Sequence, residues 1–113
     1  MKKINFKEKA EMLRILGHPV RLRILEELVK GTKCVSDIQD LLGVPQSNIS
    51  QHLLLLRHYH IIDYIEDGVL RCYFITKPGL VSDLFEILRK DYPVVRGEEV
   101  SVYRRKRVAG KDL

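Results

Sequence analysis

The chain has 113 residues, 45% of them hydrophobic, with a formal net charge of +5, a pI near 9.3 and two cysteines. That size suits one domain with a modest core, and the composition excludes a disordered chain, a membrane-spanning one and a disulfide-framework scaffold. The excess charge favours an acidic partner, but residues 1–92 hold 14 Lys+Arg against 12 Asp+Glu, whereas residues 93–113 hold 6 against 3.

The first predicted helix opens at Asn5, with Glu8 three residues on, and runs to about Leu16. Ala10, Leu13 and Leu16 share one side of it. The opening residues have no apolar run of signal-peptide type, and with only two cysteines the expected location is the cytoplasm. Gly17-His18 breaks the helix and Pro19 starts the next, with Leu22, Ile24, Leu25 and Leu28 as its apolar stripe and Gly31 as its stop. A third helix covers about Val35 to Leu42, with Ile38, Leu41 and Leu42 expected to face inward. Gly43-Val44-Pro45 makes a turn, and a fourth helix follows to about Tyr59.

The period then changes. Ile61–Thr76 is rich in β-branched and aromatic residues, with the hairpin signal Asp67-Gly68 at its centre. Pro78 opens a last helix with Leu80, Leu84, Ile87 and Leu88 on one face, and Pro93 stops it. The expected division is a folded unit over 1–92 and a basic tail over 93–113, around Arg104–Arg107.

A short helix, a tight turn, a second helix and a hairpin make a winged helix-turn-helix, a mainly α fold with a β-hairpin wing. At 100° per residue, Ile49, Leu53 and Leu56 of the fourth helix share a core-facing side. Ser47, Gln51 and His58 fall opposite, with Asn48 beside them. The stretch from Val44 to His60 carries no acid, one arginine and three histidines. Glutamine and asparagine can bond adenine in two places, and serine both donates and accepts, so this face suits base edges in a major groove. A solvated helix start is the plain alternative. A winged-helix module that binds proteins rather than DNA is the alternative function, and it predicts apolar or acidic residues on the same face. No triad spacing, carboxylate pair, phosphate loop or cofactor motif points to an enzyme.

Three blocks, LGHPVRLRILEEL (16–28), KCVSDIQDLLGVPQSNISQHLLLLR (33–57) and DGVLRCYFI (67–75), resemble the ArsR/SmtB family of bacterial winged-helix repressors. The resemblance covers about residues 5–92. It implies a homodimer formed through the first and last helices, a palindromic operator in double-stranded DNA, and repression released by an effector. Carried onto this chain, it makes Gln46, Ser47, Asn48, Ser50 and Gln51 DNA-facing, with His52 at the edge and Arg71 of the wing on phosphate or minor groove. The alternative for His52 is a half-buried histidine that braces the helix.

The metal sites of the family are not matched. Its Cys-x-Cys pattern at the third helix reads Cys34-Val35-Ser36 here. Of the positions nearest its last-helix site, Pro78, Leu80, Asp91 and Val94, only Asp91 is a ligand type. No cofactor is expected, and His18, His58 and His60 suit surface or capping roles. Cys34 and Cys72 remain as a candidate thiol sensor. In winged helices the residues before the third helix often run beside the second wing strand, so Lys33-Cys34 is expected near Arg71-Cys72-Tyr73. Cys34 also stands at a helix start beside Lys33, which favours thiolate. A dithiol switch, or an arsenical or soft metal held by the two thiolates, is the sensor expectation, with a link that skews the wing and weakens DNA binding. Two small packing residues are its alternative.

Overall fold

The computed structural model describes residues 2–99. In chain order they form α1 (Phe6–Leu16), α2 (Pro19–Val29), β1 (Lys33–Cys34), α3 (Val35–Leu42), α4 (Gln46–His58), β2 (Ile62–Asp67), β3 (Leu70–Ile75), α5 (Pro78–Arg89) and a 3-10 turn (Gly97–Glu99). This is the expected winged helix-turn-helix.

Local signals start and stop the helices. The Asn5 side chain accepts from the Glu8 amide at 3.1 Å, capping α1. His18 caps α2 by accepting the Val20 amide on Nδ1 at 3.1 Å, and Pro19 fills the first helical position. Gly43 ends α3 with φ +66°, a left-handed backbone that only glycine adopts without penalty, and this turn sets the direction in which α4 departs.

The wing is β2 and β3, antiparallel from Ile62↔Ile75 to Asp67↔Leu70 and joined by Gly68-Val69. A positive φ at Gly68 without one at Val69 is the type II′ pattern, whose twist suits a hairpin. β1 adds a third strand on the far side of β3, in the order β1-β3-β2. It places Lys33 opposite Tyr73 and Cys34 opposite Cys72, the neighbours expected from the sequence.

One core joins these elements. Ile15, Leu16, Ile24, Leu25, Leu28, Ile38, Ile49, Leu53, Leu56, Ile61 and Ile62 are all buried in it. Leu41, expected inside, is exposed, because Ile38 and Leu42 already fill the inward side of α3, and in α1 the shared side of Leu13 and Leu16 is split, with Leu16 buried and Leu13 exposed. In α5 the buried residues are Val81 and Phe85, whereas Ile87 and Leu88 face outward and Leu80 and Leu84 are half-buried. α5 also ends at Arg89, four residues before Pro93. The apolar row of α5 is thus divided, with Leu80 and Leu84 packed against the core and Ile87 and Leu88 outside it. Among the described residues, no helix is long and apolar enough to cross a membrane.

Candidate nucleic-acid interface

α4 stands on the core through Ile49, Leu53 and Leu56, each at most 1% exposed. That anchoring fixes where every other side chain of the helix projects. Gln46, Ser47, Asn48, Ser50 and Gln51 are all exposed. They divide into three rows by helical angle. Ser47 and Gln51, with Leu54 and His58 below them, form the outermost row. Gln46 and Ser50 lie on the flank toward the wing, in line with Arg57. Asn48 and His52 lie on the flank toward α2.

The wing-side flank borders a groove of about 510 Å³. Ser36 of α3 and Gln46, Ser50 and Arg57 of α4 line one side, and Leu70 and Arg71 of β3 line the other. Arg71 is exposed, with its guanidinium 4.6 Å from the Tyr64 ring centre, and Arg57 approaches the same ring to 4.5 Å. Two cations that line the groove thus gather on one tyrosine. Arg57 also binds Asp63, Nε to Oδ1 at 3.0 Å. That hydrogen bond holds the Asp63 carboxyl below its ordinary range and pushes the Arg57 pKa up. The wing tip is less basic, since Glu66 stands opposite Arg71 in the ladder. Arg57 was not singled out in the sequence, although it is the lone arginine between Val44 and His60.

His52 is half-buried rather than free. Its Nδ1 accepts from Arg21 Nε at 3.2 Å, and its ring lies 4.5 Å from that of His18. Arg21 also donates to the Ile15 carbonyl at 2.8 Å, so one guanidinium ties the end of α1 and the start of α2 to the reading helix. The packing supports the bracing alternative for this histidine. Burial, then the nearby His18 and Arg21, push its pKa below the ordinary 6.5. Protonation would place a new N–H against the Arg21 donor. The unfolded chain therefore takes up this proton at a higher pH than the folded one, and stability falls as pH drops below about 6.5. Between about pH 7 and pH 5, the melting temperature of wild type is expected to fall more steeply than that of His52→Gln. Parallel melting curves would remove His52 from the pH response.

Cys34 and Cys72 are joined as a disulfide, with their Cα atoms 3.9 Å apart. Among the described residues, no group of three or more His, Cys, Asp or Glu side chains is placed to hold a metal ion. Two sulfurs alone fall short of the ligand set of a structural zinc site. Arg104–Arg107 of the tail lie outside the described residues.

The geometry defines a winged helix-turn-helix protein whose α4 carries a polar outer face. The family model for bacterial regulatory proteins of the arsR family matches residues 18–64, from the cap of α2 into β2. An HTH-type transcriptional regulator of Mycobacterium tuberculosis, Rv0081, is 34% identical over 106 residues, covering 93% of this chain and 92% of its own. The transcriptional repressor PagR of Bacillus anthracis is 40% identical over 76 residues, covering 66% and 76%. The crystal structure of Rv0081 superposes with a TM-score of 0.69 at 30% identity, covering 95% of this chain and 99% of its own. That of the repressor BigR from Xylella fastidiosa gives 0.65 at 30% identity, covering 76% and 91%. The chain belongs to the ArsR family. It is accordingly a DNA-binding transcriptional regulator of repressor type and not an enzyme.

Proposed function

We propose that the protein represses transcription as a homodimer on a twofold-symmetric operator, with α4 of each protomer in a major groove. The observation that carries this reading is the polar outer face of α4, with Ser47 and Gln51 outermost on a helix whose opposite face is locked in the core. In this reading Gln46, Ser47, Asn48, Ser50 and Gln51 meet base edges and phosphates at the helix start. Arg71 and Arg57 take the phosphates that flank the groove beside the wing. His52 acts one step removed, by holding α4 against Arg21.

Pairing of protomers is supported by apolar side chains that one protomer leaves in water. Phe6 and Leu13 of α1 and Ile87 and Leu88 of α5 are all more than half exposed. Clusters of this kind mark interaction surfaces in otherwise well-packed domains. A similarly folded domain from Mycobacterium bovis is described as homodimeric. Residues 1–92 act as the binding and pairing unit. The basic tail over 93–113 adds sequence-independent attraction to the duplex. An effector, or chemistry at Cys34 and Cys72, releases the operator.

Selection of duplexes from a random pool by the purified protein tests the reading directly. The expected product is a palindrome with half-sites about one helical turn apart, or a multiple of it. Enrichment of a single asymmetric half-site, or of nothing, would sink the twofold model.

A further inference from the structure

The disulfide occupies a telling place in the chain. Cys34 is the residue before α3 and Cys72 is in the middle of β3, 38 residues later. The segment between them is α3, the turn, α4 and β2, so the bond closes a loop around the whole DNA-reading unit. Its ends meet beside the groove that separates the reading helix from the wing, since Val35, Arg71 and Tyr73 all line that groove. β1 is only two residues long, which makes this bond the strongest tie between α3 and the wing strand.

We propose that Cys34 and Cys72 are a reversible oxidation site that sets operator affinity, with the bridged form as the tighter binder. The proposal rests on the repressor reading above. In the bridged chain β1 and β3 keep their antiparallel register, Lys33 on Tyr73 and Cys34 on Cys72. The sense of the switch thus differs from the sequence expectation of a skewed wing. Bridging holds the wing where the groove is already formed, and reduction frees it, so that DNA must order it on binding.

The two residues differ in exposure, which assigns their roles. Cys34 is half-exposed, whereas Cys72 is 8% exposed. Cys34 also stands at a helix N-terminus, where the dipole favours thiolate. A hydroperoxide is the class of oxidant that fits. The Cys34 thiolate attacks its terminal oxygen, the O–O bond breaks, and the alcohol leaves with a proton, giving a sulfenic acid. The Cys72 thiolate then attacks the Cys34 sulfur. The S–O bond breaks, and hydroxide leaves and takes up a proton as water. Two thiols are oxidised by two electrons, and one hydroperoxide is reduced to alcohol and water. Two equivalents of a low-molecular-weight thiol reverse the step by exchange, leaving as their own disulfide.

The test compares the full chain after cumene hydroperoxide and after a phosphine reductant. Intact mass with thiol alkylation should show one intramolecular bond after peroxide. Amide exchange over 33–36 and 62–75 should be faster in the reduced protein. On a selected duplex, the bridged wild type should bind roughly tenfold tighter than the reduced form. Cys34→Ser and Cys72→Ala should bind like reduced wild type with or without peroxide. Alanine keeps the buried position of Cys72 small and apolar, and circular dichroism confirms that each variant is folded. Equal affinity of the two forms, tighter binding by the reduced form, a bond between protomers, or a response in either variant would overturn the proposal. If no duplex is bound in either state, the repressor reading falls instead, and the exchange arm still decides whether the bond holds the wing. Unchanged exchange would then end the proposal.

Discussion

Replacing Ser47 and Gln51 together by alanine is expected to abolish the preference for operator over random duplex while leaving the fold intact. Both side chains are exposed on the outermost row of α4, so truncation opens no cavity. Alanine is also the better helix former at both positions. The melting temperature should therefore hold or rise slightly. Removing a bidentate pair of hydrogen bonds to a base costs about 1–3 kcal/mol. At about tenfold per 1.4 kcal/mol, operator affinity should fall roughly 5- to 150-fold for each base that the helix no longer reads. Affinity for random duplex, which depends on phosphate contacts, should change little. Titration of both duplexes at one salt concentration checks the result. A double mutant that still discriminates would show that α4 does not read the bases.

Substituting Leu13→Glu and Leu88→Glu in one chain is expected to give a folded monomer with little operator affinity. Leu13 is 61% and Leu88 53% exposed in the protomer, so neither glutamate is forced into the core. In a dimer built on α1 and α5, each carboxylate would be buried without a partner, at a cost of several kcal/mol. Separated protomers lose the gain that links two half-sites, which is roughly 10²- to 10⁴-fold. Sedimentation and operator titration together check this. A dimer that survives the substitutions would place the pairing surface elsewhere and leave the exposed rows of α1 and α5 unexplained.

Family and fold were both legible before the structure, and the reason is local. Gly43-Val44-Pro45 and Asp67-Gly68 state where the chain turns, because left-handed backbone and restricted φ are properties of single residues. The apolar spacing of Ile49, Leu53 and Leu56 fixes which side of α4 is inward, and the outward side of Ser47 and Gln51 follows by geometry alone. A two-residue strand such as β1 has no pattern of its own, yet its placement beside Cys72 could be anticipated from how winged helices are built.

What resisted the sequence depends on contacts between distant segments. Leu80, Leu84, Ile87 and Leu88 make as good an apolar row as Val81 and Phe85. Only the position of α5 against α2 and the sheet shows that the latter pair enters the protomer core. A bracing His52 was one of the two sequence expectations, but its partner Arg21 lies 31 positions away, and nothing in either local stretch names it.

The sequence by itself thus determined the order of elements, the two turns, the polar outer face of α4 and the family, since these follow from residue-scale backbone preferences and helical periodicity. Only the tertiary structure decided which apolar residues of α5 stay exposed, that His52 and Arg21 brace α4 against α2, and that Cys34 lies bonded to Cys72. Each of those depends on how separate elements dock and on strand register, where a shift of one residue would turn Cys72 to the opposite face of the sheet.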